Sequence, residues 1–106
     1  MNHKTVEEFL LKLPGAKLDY PFGQNTAVYK VNDKMFALVN EKSDPLQLSL
    51  KCDPVLSQTL RGKYETVMPG YHLNKKHWNT IVLTGQLSWD EIKDLINHSY
   101  NLVVKT

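Results

Sequence analysis

Between Val67 and Leu83 the chain crowds lysines, histidines and aromatics around one short run, Pro69-Gly70-Tyr71-His72-Leu73-Asn74-Lys75-Lys76-His77-Trp78-Asn79-Thr80. Positive charge answers phosphate and flat rings answer bases, so this stretch carries both ingredients of a nucleic-acid contact. Adjacent Lys75 and Lys76 cannot both be buried and make the clearest local positive patch. Tyr71, His72, Asn74 and His77 stand beside them. Arg61 and Lys63 belong to the same basic stretch: from Lys51 to Thr80, five lysines and arginines face only Asp53 and Glu65. The last segment reverses this balance, with Asp90, Glu91 and Asp94 outweighing Lys93 and Lys105.

Other chemistries find less support. His3, His72, His77, His98 and Cys52 show no paired metal-ligand spacing, so no metal is expected. No serine sits in a glycine-flanked elbow, and Cys52 has no identifiable histidine partner, so no catalytic residue is assigned and Cys52 is expected to be a buried thiol. The five glycines are scattered singly at turns and build no phosphate-cradling loop, and no cofactor is expected. Trp78 opens an apolar run and is expected to pack in the core. His98, at the edge of an apolar helical stripe, is expected to bond a neighbouring loop.

With 106 residues the chain has the length of one domain, 1–106, long enough to bury a core without disulfides or metal. The net charge of +2 matters less than its concentration in the third quarter. The first thirteen residues lack the continuous apolar stretch of a signal peptide, and no apolar run approaches a bilayer span. A cytoplasmic location without membrane partners is the expectation.

Several elements must position these residues. Thr5-Val6-Glu7-Glu8 reads as a capping box for a first helix, with Val6, Phe9, Leu10 and Leu13 on one face before Pro14-Gly15 stops it. An extended piece then ends in the turn Pro21-Phe22-Gly23. Ala27 to Val31 and Lys34 to Val39 flank Asn32-Asp33, residue types that tolerate positive φ, and predict a β-hairpin. Leu46 to Lys51 alternates strictly, with leucines on one face and polar groups on the other. Asp53-Pro54 reads as an N-cap and first helical position, followed by a stripe of Val55, Leu56 and Leu60 that ends at Arg61-Gly62. Pro69-Gly70 suits a type II turn. Tyr71 to Leu73 and Trp78 to Leu83 read as extended, joined by the lysine-bearing linker. Ser88-Trp89-Asp90-Glu91 is a second capping box, opening a helix to about Val104 whose apolar face holds Ile92, Leu95, Ile96, Leu102 and Val103. Ser99 falls within that face, and its hydroxyl is expected to bond a carbonyl one turn earlier. The order α-β-β-β-β-α-β-β-α predicts a two-layer α+β fold, an antiparallel sheet with helices on one face.

The motifs Leu13-Pro14-Gly15-Ala16, Pro21-Phe22-Gly23, Lys34-Met35-Phe36-Ala37, Leu50-Lys51 with Asp53-Pro54, Pro69 to Thr80 and His98-Ser99-Tyr100 together resemble the MmcQ/YjbR family over nearly the whole chain. The resemblance implies an α+β fold like that of secretion chaperones and a "double wing" mode of DNA binding, with the wings on hairpin or loop elements and Tyr71 to Trp78 most similar to the family signature. Arg61 is the only arginine, although arginine to guanine is the commonest specific major-groove contact. The resulting expectation is a non-enzymatic protein whose partner is nucleic acid, DNA first, held by phosphate contacts with little base discrimination. A protein or peptide adaptor using the sheet face or an edge strand is the alternative, and an enzyme with a small substrate is the third reading.

Overall fold

The structure is a computed structural model that describes residues 2–70 and 73–105. Its elements are α1 (His3–Lys12), β1 (Lys17–Asp19), β2 (Thr26–Val31), β3 (Lys34–Asn40), β4 (Gln47–Lys51), α2 (Pro54–Lys63), β5 (Val67–Pro69), β6 (Trp78–Val82) and α3 (Trp89–Val104). The strands form one antiparallel sheet in the order β1-β2-β3-β4-β6-β5. Among the described residues, no helix is long and apolar enough to cross a membrane.

Local chemistry explains most of these boundaries. Asn32 and Asp33, with φ of 53° and 62°, make the two-residue turn between β2 and β3. The Asp53 carboxylate accepts from the Val55 and Leu56 N–H groups and caps α2. The capping box at Ser88 is present, and Glu91 is held below the usual carboxylate range by the Ser88 N–H and then by the Tyr64 hydroxyl. α1 starts earlier than the Thr5 reading suggests: Asn2 is the cap, and Thr5 donates to it through both its N–H and its hydroxyl. An asparagine three residues upstream outcompetes the threonine because its carbonyl reaches that N–H directly.

The helices cover one face of the sheet. Val6 and Leu10 of α1 and Ile92, Ile96 and Val103 of α3 pack with the alternate strand residues Tyr29, Val31, Val39, Leu48, Leu50 and Ile81. α2 contributes Leu60 to this core, whereas Val55 is 75% exposed and does not extend the expected stripe. Ser99 also departs from expectation. Its hydroxyl donates to the Phe36 carbonyl at 2.5 Å and accepts from the Lys51 N–H at 2.9 Å, bridging β3 and β4 just beyond their last paired residues, Ala37 and Leu50. The small side chain lets the helix approach, and the hydroxyl satisfies the strands rather than its own helix.

On the opposite face, Val28, Leu38 and Trp78 form a second, smaller cluster with Met35 and Leu73. Trp78 is a core residue at 7% exposure, but of this face and not of the helical side. Trp78→Ala is therefore expected to cost about 3 kcal/mol, the lower end for a truncated core aromatic, because the cluster is small. Chemical denaturation checks this, and a loss below about 1 kcal/mol would show that the ring contributes little packing.

Candidate nucleic-acid interface

The register sets which chain reversals share one end of the sheet. Val31 pairs with Lys34, Ala37 with Leu50, Lys51 with Trp78 and Pro69 with Asn79. The β2–β3 turn, the end of β4 and the β5–β6 connection therefore share one end of the sheet. Two chain reversals flank the end of β4, and Lys34, Lys51, Lys75 and Lys76 lie on or beside them.

The lysine turn is tightly built. Asn74 accepts through Oδ1 from the Lys76 N–H at 2.9 Å, and through its carbonyl from His77 and Trp78 at 3.2 and 3.0 Å. Such a side-chain-closed turn leaves Lys75 and Lys76 exposed at its tip, and His77 half-buried. The His77 carbonyl accepts from the Cys52 N–H at 2.7 Å, tying the turn to the residue after β4.

Arg61 braces the turn from α2. Its Nη2 donates to the Lys75 carbonyl and, at 3.2 Å, to the Trp78 carbonyl, while Nε donates to Asn79 Oδ1 at 2.6 Å. The only arginine of the chain is thus engaged inside the protein, which places it under the lysines as a positioning residue. Lys63 is elsewhere, over the Tyr64 ring at 5.2 Å and near Glu91 on the helical side. Tyr71 and His72 lie outside the described residues.

Pro69-Gly70 does not form the expected type II turn. Pro69 ends β5, and the positive-φ glycines are Gly15, Gly23 and Gly85. Gly70 donates its N–H to the Trp78 carbonyl at 2.8 Å, and a Cβ placed on it would lie 2.7 Å from Trp78 Cβ. Glycine is required here for close approach of two chain segments. Leu73 donates to the Gly70 carbonyl at 3.4 Å and lies in no strand, and the rest of the expected Tyr71–Leu73 segment lies outside the described residues.

Beside this loop, the uncovered face holds a groove of about 400 Å³ that the sequence reading missed. Its floor is two cross-strand rows, Thr26-Asn40-Gln47 and Leu38-Ser49-Thr80. Ser49 and Thr80 share a hydroxyl–hydroxyl bond of 2.8 Å. Leu73 borders the groove from the lysine loop, and Phe22, 64% exposed, borders it from the Pro21-Phe22-Gly23 turn. Two motifs far apart in sequence thus meet around one surface. The available signal was the strict alternation in β4, which already put Gln47 and Ser49 on the wet face.

Cys52 is buried, and that burial pushes its thiol up, away from the nucleophilic thiolate, with Ser57 only partly opposing. His98 accepts through Nε2 from the Asp53 N–H at 3.2 Å and so bonds a neighbouring loop, as expected.

The YjbR family model matches residues 11–102. The chain belongs to the YjbR family. It is 39% identical over 102 residues to YbdF of Escherichia coli O157:H7, covering 96% of this chain and 84% of that protein. It is 36% identical over 103 residues to YjbR of Escherichia coli K12, covering 94% and 87%. Among solved structures, the crystal structure of Deinococcus radiodurans DR2400, a DUF419 domain, superposes with a TM-score of 0.93 at 38% identity, covering 97% of this chain and 78% of that one. A Pseudomonas syringae protein superposes with a TM-score of 0.83 at 32% identity, covering 97% and 99%. The α+β fold is thus shared with YjbR-like domains.

The Arg61 geometry makes a specific demand, since one planar fork spans three acceptors and a lysine ammonium cannot copy it. Arg61→Lys is expected to destabilise by about 1.5–3 kcal/mol, the range for hydrogen bonds from a charged group, and to speed hydrogen exchange at the His77 and Trp78 amides. A loss within about 0.5 kcal/mol, the level of an ordinary surface substitution, would remove the brace.

Proposed function

We propose that this YjbR-family protein binds nucleic acid, DNA first, in the cytoplasm, through Lys75 and Lys76 on the braced turn, with the sheet groove beside them receiving part of the same strand. The observation that carries this reading is the exposed lysine turn, held from behind by Arg61 and bordering a groove that sets hydroxyls and amides among the apolar side chains of Phe22, Leu38 and Leu73. An ordered turn loses less conformational freedom on binding than a loose one, so two lysines fixed on it can meet adjacent phosphates at lower entropic cost. The β2–β3 turn, across β4 at the same sheet end, would serve as the second element of a double-wing arrangement. Hydroxyls and amides on the groove floor suit sugar and base edges of an unpaired strand, and the Phe22 ring suits stacking. With Arg61 engaged internally, contacts are mostly to phosphate and base discrimination is weak.

A protein or peptide adaptor is the second reading, favoured by apolar Phe22 and Leu73 at the groove's border and Leu38 in its floor. Capture by strand addition is the less favourable route, because β1 and β5 at the sheet edges have three residues each and β5 ends in Pro69.

Titration with duplex and single-stranded oligonucleotides at several salt concentrations separates the two readings. Lys75→Ala with Lys76→Ala should flatten the slope of log affinity against log salt by about 0.9 per lost contact on duplex and about 0.7 on single strands. The loss should be similar for unrelated sequences, with stability nearly unchanged. An unchanged slope would take these lysines out of the site, and no binding by the wild-type protein at low salt would transfer the lead to the adaptor.

A further inference from the structure

On the helical side, far from the lysine turn in sequence, His3 and Glu7 of α1 meet Glu41, the residue after β3. His3 and Glu7 are four apart and therefore on one helical face, where side chains at that spacing are neighbours. His3 Nε2 lies 2.9 Å from Glu41 Oε2 and 3.5 Å from Glu7 Oε2. The three candidate ligand atoms are all within 4.8 Å of one another.

Those spacings are informative. Two donors each about 2.0–2.2 Å from one ion, at angles between octahedral and tetrahedral, are separated by about 2.9–3.5 Å. Both distances from His3 fall in that window. Two carboxylates also carry the charge that a divalent cation neutralises, which offsets the unfavourable position of a cation at the start of a helix. All three side chains are partly exposed, so an ion can enter from solvent.

A second, independent observation points to the same place. The Tyr29 side chain is fully buried, and its hydroxyl has no hydrogen-bond partner. It lies in the field of the same cluster: burial raises its ionisation above the ordinary tyrosine range, and Glu7, Tyr20 and Glu41 raise it further. A buried orphan group calls for an explanation, and a bound ion with its water is one that would serve the Tyr29 hydroxyl.

We propose that His3, Glu7 and Glu41 form a binding site for a divalent first-row cation, Zn²⁺ being the best match to one imidazole and two carboxylates. The site leaves coordination positions for water, the nearest of which can give the Tyr29 hydroxyl its partner. The ion would tie the start of α1 to the end of β3, which the His3–Glu41 pair already links.

The test is calorimetric titration of the full chain with Zn²⁺ alone at neutral pH, repeated on His3→Gln, Glu41→Gln and His77→Gln, each checked for fold by circular dichroism. One saturable site is expected, weakened at least about tenfold by His3→Gln and by Glu41→Gln, since loss of a direct ligand should cost no less than loss of an outer-shell partner. His77→Gln should bind as the wild type does. Mn²⁺ added to isotope-labelled protein should broaden the resonances of His3, Tyr20, Tyr29 and Glu41 first, which locates the ion without relying on a variant. Absence of saturable binding, binding that survives His3→Gln and Glu41→Gln, or broadening centred on His77 would each overturn the assignment.

Discussion

α3 lays Ile92, Ile96, Ser99 and Val103 against β2, β3 and β4, and that contact decides which side of the sheet is left open. Full burial of each large aliphatic side chain contributes about 1.5–3 kcal/mol, so the larger cluster on the helical side outweighs Val28, Leu38 and Trp78 on the other face. α1 and α2 join the same layer. The alternate residues of every strand must then meet water or find local cover. Val28, Leu38 and Trp78 find it in Met35 and Leu73, while Thr26, Asn40, Gln47, Ser49 and Thr80 stay polar. An antiparallel sheet with one wet face is stable without a second layer, and so that face is free to serve as a binding surface.

The lysine turn inherits its position from this arrangement. β6 begins opposite the end of β4, which fixes where Trp78 enters the sheet. Gly70 allows the chain to pass close to Trp78, and Arg61 reaches from α2 to hold the carbonyls of Lys75 and Trp78. A guanidinium spent this way cannot also read bases, which makes Lys75 and Lys76 the natural outward cations of the turn. The acidic residues Asp90 and Asp94 sit on the exposed side of α3, in the helical layer.

The fold class and most elements were legible because local signals agreed with tertiary packing. Asn32-Asp33, Asp53-Pro54 and Ser88 to Glu91 each satisfy their own backbone, and the leucines of β4 face the core that their alternation implies. The misses share a different cause. Ser99 bonds strands 48 and 63 residues away, Gly70 answers a steric demand made by Trp78, and Arg61 bonds residues 14 to 18 positions onward. No local pattern encodes such partners. The groove was hidden for the same reason, since Phe22, Asn40, Ser49 and Leu73 become neighbours only through sheet order and register.

The central claim is that the open sheet face and the braced turn form one nucleic-acid surface. Amide chemical-shift mapping of an isotope-labelled protein, titrated with a single-stranded oligonucleotide at low salt, tests it most directly. The account predicts changes concentrated at Lys75, Lys76 and His77, extending to Ser49, Lys51 and Thr80, with Asp90, Asp94 and Asn97 on α3 unmoved. Changes confined to α1 and α3, with the turn and the sheet face silent, would contradict it.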